Sequence, residues 1–534
     1  MRSLFRSVGC ALFAIAMLVV VSLFPGKLHA AGDDLLVGTI TGQLKGAARQ
    51  WGGAEFLAIP YAQPPVGELR WHEPLPAKRW NGVRDATTFG APCAQAILGD
   101  WNRRDAETSK EDCLFLNVMT PVWPPKVPLP VMVWFHGGAN AGGTASSHLY
   151  KDGTLVQHGV VLVTVNYRLG IFGFLSLLEL TKESPQHLSG NYALLDQIMA
   201  LRWVHDNIAK FGGDPANVTV FGQSAGAIDA GYLMVSPLGK GLFQRMIAQS
   251  GSPLGPPLPT LAESEQANEK LIANLNPPAS EELKFLRERT VQELLELAGN
   301  QDPAAPPSIG PIIDGWVLSR HPTEIMAAGA EAPVSLLIGT TTREFGLPGP
   351  PEEVRKFIRT VTGNLADRAL ALYGLANGGA GNQDVLYGSA GDQWFADLAF
   401  RCPITTEAIW HTAAHQPVYE YELQHAIPGQ EAQGSVHSAD LPYVFGYFPK
   451  AGNIAGNFGD VDFKLADLIE TYWANFARTG DPNSNGLPKW PEFDGEQVYI
   501  QFKQDGSVGT STGLRKPYCD LYRDVVKQRM TGTR

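Results

Sequence analysis

The chain has 534 residues, 44% of them hydrophobic and 18% charged, with 57 Gly and 12 Trp. That is enough apolar material for a large core, which excludes a disordered or low-complexity protein. The net charge of -11 argues against nucleic acid or an anionic membrane surface as a partner.

The first thirty residues read as a separate unit. Arg2 and Arg6 supply a positive start, residues 10–24 are almost wholly apolar, and Pro25-Gly26 breaks the run before Leu28-His29-Ala30. This is the layout of a secretory signal peptide, with cleavage expected after Ala30. The mature chain, residues 31–534, is then expected to be secreted or periplasmic, with no stable membrane association. Four cysteines remain in it: Cys93, Cys113, Cys402 and Cys519. An even number in an oxidising compartment permits two bridges, and the sequence alone allows three pairings. None of the four has the CxxC or Cys/His spacing of a zinc site.

In chain order, residues 130–135 and 160–166 read as buried strands. Residues 191–211 read as a helix, with Leu194, Leu195, Ile198, Leu201, Trp203 and Ile208 mostly at three- and four-residue steps. Residues 218–221 form a short strand that runs straight into Gly222. Apolar strands alternating with a helix indicate a mainly parallel sheet covered on both faces. Past Gly255, Pro-rich loops surround charged amphipathic helices, such as one over residues 280–298. We read residues 255–410 as helical cap insertions in a single α/β domain. Strands return at 334–338 and 418–422, and the chain closes with a helix over 465–478 and a strand over 497–502.

Gly222-Gln223-Ser224-Ala225-Gly226 fits G-x-S-x-G, but so does Gly509-Thr510-Ser511-Thr512-Gly513. A nucleophile elbow needs a strand just before the serine and a helix just after it, so that a tight turn exposes Oγ. Ser224 has both. Ser511 sits in a Gly/Ser/Thr stretch with no histidine downstream, and is read as a turn residue. Acyl transfer also needs backbone donors for a developing oxyanion. His136-Gly137-Gly138-Ala139 follows a strand and matches the HGG-type turn, so the donors are expected to be the N–H groups of Gly138, Ala139 and Ala225.

These features extend into a wider likeness. Pro64-Pro65-Val66-Gly67-Glu68-Leu69-Arg70-Trp71, Glu111-Asp112-Cys113-Leu114-Phe115-Leu116-Asn117, Asn166-Tyr167-Arg168-Leu169-Gly170 and Phe211-Gly212-Gly213-Asp214-Pro215 stand in one order with the serine motif. Gly480-Asp481-Pro482-Asn483 follows near the end. From about residue 42 to the last helix the chain resembles the type-B carboxylesterase and cholinesterase family. The resemblance implies an α/β-hydrolase fold, with a large, mostly parallel central sheet flanked by helices. It implies hydrolysis of small-molecule carboxylic esters through an acyl-enzyme, with no metal or organic cofactor. Thr342-Arg343-Glu344-Phe345-Gly346 resembles the turn that carries the acid, giving Glu344. Val436-His437-Ser438-Ala439-Asp440 resembles the histidine loop, giving His437. It also implies the bridges Cys93–Cys113 and Cys402–Cys519, and a pair between Arg70 and Glu111.

Other candidates rank lower. His411, His415 and His425 are read as structural, and the glutamate of HExxH is missing between the first two. Asp314 is read as a turn residue, and Asp440 is a rival acid by proximity alone. Two positions depart from the family: Gln223 stands where glutamate is common, and Asp229 where serine is common. Trp101, inside the first cysteine loop, is read as a packing residue in preference to a gorge aromatic. A non-catalytic adhesion module is disfavoured by the complete set of candidate residues, and a lipase by the lack of a long apolar lid. The sequence fixes neither the identity of the ester nor an oligomeric state.

Overall fold

The computed structural model describes residues 35–532 apart from 279, 300–308 and 348. The expected signal peptide lies outside the described residues.

The apolar runs become strands because their side chains alternate between two cores. Along Leu129–Phe135, Val131, Val133 and Phe135 enter one buried cluster, while Met132 and Trp134 enter another on the opposite face. Both faces are covered, which is why the run is continuously apolar.

Among the described residues the main sheet has eleven strands. In chain order they are β1 (Ala47–Ala48), β2 (Ala54–Pro60), β3 (Phe115–Thr120), β4 (Leu129–Phe135), β5 (Val161–Val165) and β6 (Gly213–Gln223). Then come β7 (Arg245–Gln249), β8 (Ser335–Thr341), β9 (Val418–Leu423), β10 (Val498–Phe502) and β11 (Val508–Thr512). Their spatial order is β11-β10-β9-β8-β7-β6-β4-β5-β3-β2-β1. The block β5-β4-β6-β7-β8-β9-β10 is parallel throughout, and antiparallel strands complete both edges. This is the large, mostly parallel sheet that the sequence predicts.

Helices α1 (Tyr192–Asn207) and α2 (Ala225–Val235) bury Leu194, Ile198, Leu201, Ala230 and Leu233 in the first core. On the other face, α4 (Asp460–Thr479) packs Leu465, Ile469, Tyr472, Trp473 and Phe476 into the second. Between them in sequence, α3 (Cys402–Ala413) is joined to the last helix, α5 (Lys516–Thr531), by the Cys402–Cys519 disulfide. Cys93 and Cys113 form the other bridge. On chain-entropy grounds each would stabilise the fold by about 3–5 kcal/mol. No helix among the described residues is long and apolar enough to cross a membrane.

Two expectations change. Residues 280–298 form two helices, Glu282–Arg287 and Val291–Gly299, not one. The Thr290 hydroxyl accepts from the Glu293 N–H at 3.2 Å, and the Glu293 carboxylate accepts from the Thr290 N–H at 2.7 Å. This reciprocal cap starts a new helix and interrupts the old one. Ser511 is not in a turn: it lies on β11, opposite Tyr499 of β10. β11 alternates the β-branched Val508, Thr510 and Thr512 with Gly509 and Ser511 and pairs antiparallel with β10.

Beside the Cys93–Cys113 loop, Arg70 donates from Nε and Nη2 to the two oxygens of Glu111, each at 2.6 Å. Its Nη1 donates to the carbonyls of Leu286, Arg287 and Arg289. The pair is buried, so it clamps the cysteine loop to the end of the helix Glu282–Arg287 and is not a solvated surface contact.

Candidate active site

The site gathers at the C-terminal ends of the parallel strands, where α/β sheets bind ligands. β6 runs into Ser224, whose φ of 57° and ψ of -128° are unusual for a residue with a side chain, and α2 begins at the next position. A Cβ on Gly222 would lie 2.4 Å from the Gly226 carbonyl carbon, and one on Gly226 would lie 2.0 Å from the Phe135 carbonyl oxygen. Only glycine fits at either place, so the spacing of the motif around Ser224 is a steric requirement of the turn.

The strand β4 ends at Phe135 and leads into the glycine turn. Gly138, Ala139 and Asn140 all have positive φ, at 117°, 55° and 55°. Ala141 and Gly142 both donate to the Gly138 carbonyl at 3.0 Å, which closes the turn. Among the described residues, the N–H groups of Gly138, Ala139 and Ala225 donate to no protein acceptor, and so stay free for a ligand. A Cβ on Gly137 would lie 3.0 Å from Cβ of Ser224, so turn and elbow pack together. His136 is buried and stacks on Tyr167 with ring centroids 4.5 Å apart. Burial pushes its imidazole pKa down to about 4, so the ring is neutral here. The Tyr167 hydroxyl donates to the His136 carbonyl at 2.5 Å.

Trp101 lies against the glycine turn. Added Cβ atoms at Gly138 and Gly142 would meet its ring at 3.2 and 3.1 Å, yet the residue is 47% exposed. It covers the glycine turn on one side and stays open to solvent on the other.

The acid and the histidine arrive on the loops that follow β8 and β9. Arg343 and Val436 form a parallel β-bridge, and the Arg343 N–H donates to the Ser435 carbonyl at 2.8 Å. This backbone contact sets the next residue on each loop side by side: Nδ1 of His437 lies 2.5 Å from Glu344 Oε2. The other Glu344 oxygen accepts from the Ser250 hydroxyl at 2.6 Å and the Thr341 N–H at 2.8 Å. Burial pushes the Glu344 carboxyl up, but the charge of His437 and these hydrogen bonds outweigh it and hold the pKa below the usual range.

On its far side, Nε2 of His437 faces the Gln223 side-chain amide at 3.0 Å. With Nδ1–H donated to the carboxylate, Nε2 is the basic nitrogen, and the amide N–H donates to it. The rings of Phe345 and Phe400 flank the imidazole at centroid distances of 4.3 and 5.0 Å.

The remaining candidates are engaged elsewhere. Asp440 accepts from the Gln249 amide at 2.7 Å and the Tyr421 hydroxyl at 3.1 Å. His411 lies between Glu331 and the Val334 carbonyl, and His425 between Asp462 and the Lys503 carbonyl. Asp314 accepts from the N–H groups of Trp316 and Leu318, closing a turn. Among the described residues, no group of three or more His, Cys, Asp or Glu is arranged to hold a metal ion.

Sequence reasoning missed Ser250 and the contact of Gln223 with His437. The signal for Ser250 was its place: Ser250-Gly251-Ser252 directly follows β7, the strand beside the elbow strand.

A serine elbow on a mostly parallel sheet, backed by a free-donor glycine turn, defines the α/β-hydrolase class. Over residues 33–522 the sequence matches the Carboxylesterase family; the chain belongs to it and is a carboxylic ester hydrolase. Among its relatives is the fumonisin B1 esterase of Sphingopyxis macrogoltabida, 36% identical over 475 residues that cover 86% of this chain and 84% of that one. The cocaine esterase of Homo sapiens is 36% identical over 535 residues, covering 92% and 91%. Carboxylesterase 1D of Rattus norvegicus is 35% identical over 512 residues, covering 86% of each chain.

Proposed function

We propose that this protein is an exported serine carboxylesterase in which Ser224, His437 and Glu344 act together. The observation that carries the reading is the 2.5 Å contact between Glu344 and His437, whose Nε2 meets Gln223, the residue before the serine on the sterically enforced elbow. His437 Nε2 takes the Ser224 proton as Oγ attacks the ester carbonyl. The Gln223 amide yields that nitrogen during the transfer. Glu344 keeps the proton of the neutral ring on Nδ1 and stabilises the imidazolium that forms. The N–H groups of Gly138, Ala139 and Ala225 receive the oxyanion. The alcohol leaves with the proton from His437, and the same ring then activates water to release the acid.

Trp101 at the glycine turn and Phe345 on the histidine are both half exposed, which suits esters with an apolar acyl or alcohol group. Export is supported by the charged and apolar N-terminal run, and two disulfides suit an oxidising compartment.

Hydrolysis of p-nitrophenyl esters of graded acyl length, with an organophosphonate added, tests the reading. The label is expected on Ser224, and Ser224→Ala is expected to lower kcat by about 10^3-fold or more with the fold retained. Near-normal turnover by that variant would overturn the assignment.

A further inference from the structure

Asp229 lies on α2, five residues beyond Ser224, fully buried and unused in the reaction above. Each of its oxygens has one partner. Oδ1 accepts from the Asn140 amide at 2.9 Å, and Oδ2 accepts from the Gln197 amide at 2.7 Å. Asn140 directly follows Ala139 in the glycine turn, and Gln197 lies in the middle of α1. The amide oxygens of both partners are buried and unpaired, so Asp229 is the one side chain holding either amide among the described residues. A buried carboxyl group is costly unless it is hydrogen-bonded, and these two amides supply its hydrogen bonds.

What it holds is a strained turn. Ala139 and Asn140 both keep φ at 55°, a region that residues with side chains resist, and such backbone persists only when its surroundings over-determine it. The Gly170 N–H grips the Asn140 carbonyl at 2.7 Å, and Asp229 grips the side chain. We propose that Asp229 is a positioning residue for oxyanion binding: its carboxyl group ties the turn that bears Gly138 and Ala139 to the helix that begins with Ala225. The three donors then keep one spacing, which matters most when charge develops on the ester oxygen and little when the neutral substrate binds.

This proposal rests on the reading of Ser224 as nucleophile, and its test separates the two. Asp229→Ala, Asp229→Asn and Asn140→Gly are compared with the wild type in the full chain on p-nitrophenyl butyrate. Asn140→Gly removes the tether while suiting the positive φ. A trifluoromethyl ketone, which forms a tetrahedral adduct, reports oxyanion affinity.

Asp229→Ala and Asn140→Gly are each expected to lower kcat about tenfold and to weaken ketone binding by a similar factor, with KM within about twofold. The double variant should be no worse than the weaker single one, because both cut the same link. Asp229→Asn should retain most of the activity, since its amide oxygen still accepts from Asn140. Unchanged kcat and ketone affinity in a folded Asp229→Ala or Asn140→Gly protein overturns the proposal, as do additive losses in the double variant. If Asp229→Ala does not fold, Asn140→Gly carries the test alone. A wild type that hydrolyses esters without being labelled at Ser224 overturns the nucleophile reading instead.

Discussion

The serine and the acid–histidine pair reach the same end of the sheet by different means. Ser224 is placed by local sterics: two glycines four residues apart allow a turn that no larger residue fits. Glu344 and His437 stand 93 residues apart and are placed by a single backbone bridge between Arg343 and Val436. A feature of this kind can be read from the motif and the strand and helix on either side of it, even though one of its two clashes is with Phe135 on β4. One made by register between two loops has no local signature.

The comparison can be broken most forcefully at the long-range pair. Glu344→Gln keeps the shape but removes the charge that favours the imidazolium, and should lower kcat by about 10^3–10^4-fold. A loss below tenfold in stopped-flow or steady-state assays would mean that the register does not set the base. At the local feature, Gly226→Ala drives a methyl into the Phe135 carbonyl, a backbone atom that cannot swing aside. Denaturant unfolding should show a loss of about 3 kcal/mol, with organophosphonate labelling slowed in step.

Smaller effects refine the contrast. Ser250→Ala removes one of the hydrogen bonds that hold Glu344 ionised, and should lower kcat about tenfold. It should also extend the acid-side loss of activity to higher pH, because the carboxyl pKa rises toward its usual range. The least effect on activity is expected from Asp229→Asn. Burial, the largest cause, pushes the Asp229 carboxyl up to about 7 from 3.8, against the hydrogen bonds from Asn140 and Gln197. The folded state therefore binds a proton that the unfolded chain has lost, and native stability falls as pH rises between those two values. The variant escapes this, so its Tm should gain on the wild type from pH 4 to pH 7 and stay level above.

The sequence made the elbow and the glycine turn legible on physical grounds, because glycine spacing and the preceding strands are local. The parallel core was legible because residues such as 131–135 are apolar on both faces. Glu344 and His437 were reached through family motifs, since nothing near either residue points to the other. Ser250 stayed hidden because its partner is 94 residues away. The break in the helix near Thr290 was written in the chain as Thr-x-x-Glu, with the polar run of residues 287–290 interrupting the apolar pattern. Ser511 sits in a β-branched alternation that was already in the chain, and its pairing with β10 makes it a strand residue.

The Arg70 fork has a bearing on chemical endurance. The loop that carries Trp101 is moored twice, by sulfur at its ends and, through Glu111, by a guanidinium that reaches the carbonyls of Leu286, Arg287 and Arg289. A reductant severs only the first mooring. The rim of the site should therefore keep its outline, and its choice of esters, in surroundings too reducing for the disulfide to survive.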